Sequence, residues 1–303
     1  MTGSGRLLAN LAGAVGCLFT GASIVATRFV VAQTDPISLA FLRYGIAALC
    51  LAPVAWLLCR GHRMAPRDVL GVLGLGALLF GLFPWLFNLS LEFTSAARGA
   101  LVLATSPMMT LALASVVRSE AFTGLKLLGV LSAFGGVAVA IVAGPGGVAG
   151  GGAAWVGDLL MLAAAAVGAT YPVFAKPYLA RHPPVLVTTI SMTGGVLVVL
   201  PFAAAEGLFA VLPAFDRAGW LALAFLGLGG GAIQFGLWVW AVRRLTPTQA
   251  VIFLTLTPIT AMLLAGLVLG EAITFALFAG LILVIAGILF ANWRAAAPRT
   301  EPA

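Results

Sequence analysis

The sequence predicts an all-α integral membrane protein with ten transmembrane helices in two inverted five-helix repeats. Three observations predict this fold. The chain of 303 residues is 62% hydrophobic and only 8% charged, whereas about a quarter of the residues in a soluble domain are charged. Ten apolar runs each come close to the roughly 20 residues that cross a bilayer as a helix. The two halves of the chain also share residues at a fixed spacing, which indicates a repeated unit.

The apolar runs are separated by charged and turn-forming residues and divide equally between the halves. The first repeat, residues 1–144, contains Leu7 to Val31, Ile37 to Leu58, Val69 to Leu91, Ala97 to Val117 and Leu125 to Ala143. Segment 145–154 is rich in glycine, a composition typical of a linker. The second repeat, residues 155–294, contains Trp155 to Ala175, Val185 to Ala205, Trp220 to Val242, Ala250 to Leu269 and Ile273 to Trp293. Residues 295–303 form a C-terminal tail.

The basic residues predict that both termini are cytoplasmic, because Lys and Arg are retained on the cytoplasmic side of membrane helices. With the N-terminus inside, twelve of the 16 Lys and Arg residues fall in cytoplasmic segments. Only Arg98 and Arg217 fall in outer loops, and Arg28 and Arg43 lie within or at the edge of spans. We therefore expect a multi-pass protein of the inner (plasma) membrane with N-in, C-in topology.

The two halves match at an offset of 151 residues. The segments SPMMTLALASVVRSE, from Ser106, and TPITAMLLAGLVLGE, from Thr257, share a small polar residue before proline and the same closing glutamate. Because each half has an odd number of spans, the second copy must enter the membrane in the opposite sense to the first. An inverted repeat of this kind predicts two equivalent states and alternating access between them.

Several segments resemble the drug/metabolite transporter superfamily and, within it, the EamA permeases. These segments are DPISLAFLRYGIAAL from Asp35, the repeated Pro and Glu, and Gly157-Asp158 at the start of the sixth span. The resemblance covers roughly residues 11–293. It implies a central cavity between two inverted repeats and the export of amino acids or other small metabolites. The chain departs from the family pattern at Phe19-Thr20-Gly21 and at Gly168, two cavity-facing places where the family usually has Trp.

On this resemblance we expect a transporter that exports a small metabolite, with an amino acid as the leading substrate and aromatic amino acids among the candidates. The alternatives are a proton-coupled drug or metabolite permease and, from another class, a membrane-embedded enzyme or scaffold. The expected partners are a small-molecule substrate and the lipid bilayer. The sequence does not indicate an oligomeric state.

Other chemistry is disfavoured by where the charged and metal-binding residues lie. The basic residues are scattered singly between apolar runs, which is not the pattern of a nucleic-acid-binding surface. His62 and His182 fall in predicted loops, and no Cys, His, Asp or Glu cluster has the spacing of metal ligands,. We therefore expect no enzymatic activity and no cofactor.

Polar and aromatic side chains inside the spans are the candidate substrate-binding residues. Arg43 lies about two turns into the second span, where a cation costs several kcal/mol unless it is paired or solvated. It either binds a substrate carboxylate, or bonds helix-end carbonyls or a neighbouring acid. Asn88 and Gln234 either line a wet cavity or hydrogen-bond another helix. The predicted substrate-binding residues are Arg43, Tyr44, Trp85, Asn88, Thr105, Tyr171, Gln234, Trp238 and Thr255.

Proline and acidic residues lead to two predictions about the transport cycle. A proline within a span removes a helical hydrogen bond and kinks the helix, so we expect hinges, or ordinary kinks, at Pro84, Pro107, Pro172 and Pro258. The carboxylates fall near span ends or in the tail, whereas proton-driven carriers commonly use a titrating group within the membrane. We therefore expect uncoupled facilitated diffusion or substrate exchange, with the matched Glu120 and Glu271 as the residues that could contradict this.

Overall fold

A computed structural model describes residues 3–117, 123–143, 153–211, 213–242, 244–245 and 252–292. Throughout these ranges the secondary structure is helical, and no β-strand occurs in them. Nine of the described helices are long and apolar enough to cross a membrane, and a tenth apolar helix is shorter. We label them α1 Gly3–Val30, α2 Pro36–Leu58, α3 Pro66–Phe93, α4 Ala96–Val116, α5 Gly124–Ala143, α6 Ala154–Arg181, α7 Pro184–Ala205, α8 217–242, α9 Ile252–Leu269 and α10 Phe275–Asn292.

The prediction of an all-helical protein with membrane-length apolar helices is confirmed for the described residues, and most helix ends agree with the predicted spans to within a few residues. Caps in the sequence set some of these ends. The Asp35 carboxylate accepts a hydrogen bond from the Ser38 N–H at 2.7 Å, and Pro36 occupies the first turn of α2, as expected at a helix N-terminus. The predicted linker up to residue 152, the C-terminal tail and Glu120 lie outside the described residues.

Two helices contain π-helical segments that the sequence analysis did not predict. The first covers Ala77–Leu82 in α3, and the second covers Phe225–Ile233 in α8. Adding the repeat offset of 151 residues to the first segment places it within the second. The third helix of each half is therefore interrupted at a matched place. Such segments redirect backbone carbonyls away from the regular helical pattern, and they are frequent at functional sites.

The four prolines predicted as hinges lie close to interruptions of their helices. Pro84 follows the π segment of α3 by two residues. Pro107 and Pro258 lie just after Thr105 and Thr255, where α4 and α9 leave regular helix geometry. Pro172 precedes a bend at Ala175 that divides α6 into 154–174 and 176–181. Each of the four prolines therefore lies beside a helix interruption, while the predicted role as a hinge stays a prediction.

Helices from the two halves of the chain pack in reciprocal sets. Helix α1 packs on α8 and α9, and α6 packs on α3 and α4. Exchanging each helix for the one five places away converts the first set into the second. The same exchange leaves two further contacts, α2 with α7 and α5 with α10, unchanged. The described helices thus follow one packing scheme in both halves.

Glycines bring α5 and α10 into close backbone contact. A Cβ added at Gly129 would lie 2.6 Å from the Gly287 carbonyl oxygen, and one at Gly287 would lie 2.5 Å from the Gly129 oxygen. Gly136 and Gly280 face each other in the same way, at 2.6 Å in both directions. Small residues at such crossings let helix backbones approach closely, which is a main source of helix association in a bilayer.

A buried ion pair ties α4 to α6. The Arg98 Nε is 2.9 Å from both carboxylate oxygens of Asp158, and its Nη2 also donates to Oδ2. The two residues are 3% and 4% exposed. Thr94 donates a further hydrogen bond to Asp158 at 3.1 Å. The prediction that Arg98 lies in an outer loop is wrong, because Arg98 belongs to the first turn of α4 and its charge is paired inside the bundle.

Polar contacts also cross between helices at the end of the bundle that carries the α1–α2 connection, named here the α1–α2 end. The Arg28 Nη1 donates to the Leu91 carbonyl at 2.7 Å. The two carboxylate oxygens of Glu271 accept from the N–H groups of Ala96 and Ala97 at 2.7 and 3.0 Å. Glu271 therefore caps the N-terminus of α4, whose orphan N–H groups need such partners.

The opposite end, named here the α2–α3 end, carries an ionic cluster. Asp68, in the first turn of α3, lies 2.8 Å from the His182 Nε2 and 3.1 Å from the Arg181 Nη1. His62 Nε2 lies 3.0 Å from the Nδ1 of His182. The two histidines, predicted in separate loops, thus meet where the α2–α3 connection contacts the end of α6.

The glycine crossing of α5 and α10 gives a stability prediction. We expect Gly136→Leu to lower the free energy of unfolding by about 1–3 kcal/mol, the usual cost of overpacking, because its Cβ would collide with the Gly280 carbonyl. Gly135→Leu is the control, since a Cβ there meets no atom within 4 Å. Reversible unfolding in mixed detergent micelles measures both variants. Equal stabilities would show that the crossing does not depend on glycine.

Candidate functional site

Arg43 is a buried cation in the interior of the bundle. It lies on α2, about 10 Å from the start of the helix at a rise of about 1.5 Å per residue, and is 6% exposed. Its Nη1 is 3.4 Å from the Thr27 hydroxyl and its Nη2 is 3.3 Å from the Gly230 carbonyl, while Nε has no hydrogen-bond partner. Both distances exceed the usual range for strong N–H···O bonds.

The charge of this guanidinium is not balanced by the protein around it. Within the part of the chain that the structure describes, no carboxylate lies within ion-pair distance of Arg43. A guanidinium carries five N–H donors, and only two weak contacts use them here. A buried cation without a counter-ion is costly, so the site favours an anionic or strongly polar ligand.

Close packing of α1 against α8 places the groups around Arg43. A Cβ at Gly230 would collide with the Ser23 hydroxyl and would lie 3.5 Å from the Arg43 Nη2. Only glycine fits there, and its carbonyl lies within the π segment of α8. The Ser23 hydroxyl is buried without a hydrogen-bond partner. It adds a second unused polar group beside the guanidinium.

Aromatic rings extend from Arg43 across the middle of the bundle. The Arg43 Cζ lies 5.1 Å from the Tyr44 ring centroid, and Tyr44 packs edge-on against Phe80 at 5.1 Å. Phe80, in the π segment of α3, also contacts Phe235 at 5.2 Å and Tyr171 at 6.2 Å. The arrangement joins a cation to an aromatic surface contributed by α2, α3, α6 and α8.

Polar groups lie beside Tyr171, on the side of these aromatic rings away from Arg43. The hydroxyls of Tyr171 and Ser191 hydrogen-bond at 3.0 Å, which links α6 to α7. Of the predicted substrate-binding residues, Arg43, Tyr44 and Tyr171 are therefore brought into one cluster. We call this the central cluster and define it as Arg43, Tyr44, Phe80, Tyr171 and Phe235.

Asn88 and Trp85 lie elsewhere on α3. Asn88 is fully buried, and its Nδ2 donates to the Pro36 carbonyl at 2.9 Å, which ties α3 to the first turn of α2. That contact favours the helix–helix interpretation of Asn88, although its Oδ1 is unpartnered. Trp85 is 37% exposed, on the side of α3 opposite buried Phe87.

The remaining four predicted site residues are Thr105, Thr255, Trp238 and Gln234. The hydroxyls of Thr105 and Thr255 each donate to a carbonyl three residues earlier, at 2.7 Å, and are satisfied within their own helices. Trp238 packs on α1, where a Cβ at Gly16 would lie 3.8 Å from the Trp238 Cβ. Gln234, directly after the π segment of α8, is partly exposed.

Sequence reasoning did not identify Ser23, Thr27, Phe80 or Phe235. Serine, threonine and phenylalanine are ordinary in membrane helices, so their types alone carry no signal. The glycine run Gly227 to Gly231 is visible in the sequence. The sequence does not reveal that close packing at Gly230 places the carbonyl oxygen of this residue within hydrogen-bonding distance of Arg43.

The structure indicates no metal centre in the residues it describes. None of their His, Cys, Asp and Glu side chains form a group of three or more that could hold a metal ion. The buried polar groups of the central cluster are hydroxyls and one guanidinium. Groups of these types can bind and orient a ligand by hydrogen bonds and charge.

Comparisons with known proteins identify the family of the chain. The model of the EamA-like transporter family matches residues 7–142 and again 155–293. A probable terminal-alkyne amino-acid exporter of Streptantibioticus cattleyicolor is 32% identical, covering 85% of this chain and 88% of that protein. A probable amino-acid metabolite efflux pump of Salmonella typhimurium is 27% identical, covering 88% and 89%.

The fold also occurs among solved structures. One crystal structure aligns with a TM-score of 0.64 at 23% identity and covers 95% of this chain and 97% of its own. The family model matches both halves of the chain, and the described helices have the length and composition of membrane spans. The chain therefore belongs to the EamA-like transporter family and is a membrane transporter, not an enzyme.

Proposed function

We propose that this protein exports an amino acid or a closely related small carboxylate, with the substrate carboxylate on Arg43 and its side chain against the aromatic rings of the central cluster. The observation that carries the proposal is the buried guanidinium of Arg43 without a carboxylate partner among the described residues. Arginine is suited to this task because its planar fork binds a carboxylate bidentately. The two relatives named for amino-acid export support the same substrate class.

The aromatic side of the cluster adds a preference for apolar side chains. Phe80 contacts three other rings of the cluster with interplanar angles of 63° to 73°. Aromatic pairs prefer such edge-on contacts, and a flat or apolar ligand side chain can extend them. This favours aromatic and large apolar amino acids over small hydrophilic ones.

The proposed mechanism is alternating access between two inverted five-helix repeats, residues 1–144 and 155–294, joined by segment 145–154 and followed by a tail at 295–303. The reciprocal packing of helices supports a two-fold relation between the repeats, and so does the shared position of the two π segments. In such a fold, one repeat unit rocks against the other around a fixed site. The helix interruptions near Pro84, Pro107, Pro172 and Pro258 are the proposed hinges.

The α3–α6 pair is packed differently at the two ends of the bundle. At the α2–α3 end, a groove of about 400 Å³ opens between these helices. At the α1–α2 end they are in close backbone contact, because a Cβ at Gly157 would lie 2.7 Å from the Ser90 carbonyl oxygen. This difference supports a state that is closed at the α1–α2 end.

The distribution of basic residues supports ten spans with the α2–α3 end in the cytoplasm, in an inner (plasma) membrane. In this orientation the structure corresponds to an inward-facing state. The substrate would enter from the cytoplasm, as export requires. Release would then follow the opening of the Arg28, Glu271 and Arg98–Asp158 contacts at the α1–α2 end.

Fixed contacts of Asp158, which is buried, and of Glu271, which is partly buried, support transport without proton coupling. Asp158 is held by Arg98, and both oxygens of Glu271 accept backbone N–H groups. A carboxylate that must load and release protons during each cycle needs freedom that these contacts remove. We therefore propose facilitated diffusion or substrate exchange rather than proton-driven transport.

Arg43→Lys tests the substrate site. It keeps the charge but loses the bidentate fork, so we expect the apparent KM for phenylalanine efflux from proteoliposomes to rise about tenfold or more, as for the loss of a charge-assisted hydrogen bond. Phenethylamine, which lacks the carboxylate, should be a poor substrate of the wild type. Arg60→Lys is the control, because Arg60 is also stacked on an aromatic ring, at 4.0 Å from Trp56, but is exposed.

The alternative role of Arg43 is to hold α2 in place through the Gly230 carbonyl. If Arg43→Lys reduced folding yield while the folded fraction kept the wild-type KM, that structural role would be correct and the carboxylate site wrong. A panel of labelled amino acids and other metabolites, counted in the same liposomes, identifies the substrate in either case.

Reporter fusions test the orientation. Fusions after Arg67, after Arg181 and at the C-terminus should all report cytoplasm, because each follows a basic segment. A fusion in the 206–216 connection should report the opposite side. A periplasmic signal at any of the first three sites would contradict the proposed topology.

An imposed pH gradient tests the coupling. With equal substrate concentrations inside and outside proteoliposomes, we expect no net accumulation, because Asp158 and Glu271 are held in fixed contacts. Uphill accumulation that a protonophore abolishes, and that Glu120→Gln or Glu271→Gln removes, would instead support the proton-coupled alternative. Counterflow of labelled substrate in the same vesicles confirms that the protein is active.

A further inference from the structure

A second groove at the α2–α3 end, separate from the one between α3 and α6, has an apolar lining. It occupies about 620 Å³ between the first turns of α1 and the last turns of α8, within the range of about 300–1,000 Å³ of small-molecule sites. Leu8, Leu11 and Val15 line one side, and Gly236 and Trp240 line the other. Leu8 and Leu11 are more than half exposed, at 57% and 53%. Among the described residues, the lining side chains offer no partner for a carboxylate or an ammonium group beyond the Trp240 indole N–H, so an apolar chain fits best.

A fixed cation stands beside the cytoplasmic end of this groove. Arg244 lies one helical turn beyond Trp240, with its Cζ 4.1 Å from the Trp240 ring and its Nη1 donating to the Trp240 carbonyl at 3.0 Å. The side chain is otherwise exposed, which leaves most of its N–H donors for another group. A guanidinium held in this way binds phosphate well, since its planar fork matches phosphate geometry.

We propose that the groove is a binding site for an anionic phospholipid, with one acyl chain between α1 and α8 and the phosphate on Arg244. An apolar slot that ends at a fixed cation has the polarity of such a lipid. Anionic lipids are favoured over zwitterionic ones because each Arg near a membrane surface contributes about 1 kcal/mol of attraction to negative charge. The proposal requires only that the chain lies in a membrane and does not depend on the proposed substrate.

Native mass spectrometry with phosphatidylglycerol and phosphatidylcholine of equal chain length tests the site. The wild type should retain phosphatidylglycerol preferentially, and Arg244→Gln should reduce that retention about fivefold, the equivalent of one lost Arg contact. Gly236→Leu should reduce retention of both lipids, because a Cβ there meets no atom within 4 Å and the side chain fills the groove. Arg60→Gln, at an equally stacked Arg–Trp56 pair, and Gly135→Leu are matched controls that should retain lipid.

Three results would overturn the proposal. Equal loss of phosphatidylglycerol from Arg244→Gln and Arg60→Gln would indicate general surface charge rather than a site. Unchanged lipid retention in Gly236→Leu with loss of amino-acid flux would make the groove a substrate path. A dimer mass that disappears in Gly236→Leu would make it a contact between copies of the chain. Because retention is measured without substrate, its failure is separable from failure of the proposed function.

Discussion

Close approach of helix backbones at glycine is the constraint on which this structure depends. Lipid tails are as apolar as leucine, so the hydrophobic effect does little to hold one membrane helix against another. Packing must do so instead, and it is tightest where a Cβ is missing. Gly129 and Gly136 on α5 face Gly287 and Gly280 on α10, and Gly76 and Gly194 make comparable contacts between α3 and α7.

Close backbone packing at glycine also places the polar groups around Arg43. Gly230 lets α8 approach Ser23 on α1, and the π segment around Gly230 turns a carbonyl toward Arg43. That contact orients the guanidinium without neutralising it. A full ion pair, like that between Arg98 and Asp158, fixes two helices but leaves nothing for a ligand. The two buried arginines therefore differ in their surroundings. Arg98 has a carboxylate beside it, and Arg43 has none among the described residues.

Polar contacts join residues at both ends of the bundle. Glu271 and Asp158 hold helices together at the α1–α2 end. Asp68 gathers Arg181 and His182 at the surface of the α2–α3 end. The first set lies within the packed bundle, where breaking a contact exposes charge to low dielectric. The second is partly solvated and therefore weaker, which agrees with the proposed opening at the α2–α3 end.

The sequence by itself determined the helical class, the approximate spans and the repeat, and it predicted a role for Arg43. These inferences rest on composition, on the length of the apolar runs, or on one charged residue that is costly to bury in an apolar run. All three are local properties of the sequence. Only the tertiary structure decided that Arg98 pairs with Asp158, that Asn88 bonds the first turn of α2, and that Phe80 joins Tyr44 to Tyr171. The physical reason is that burial and partnership depend on which helix faces lie together, and a helix that is apolar all round does not specify its inner face.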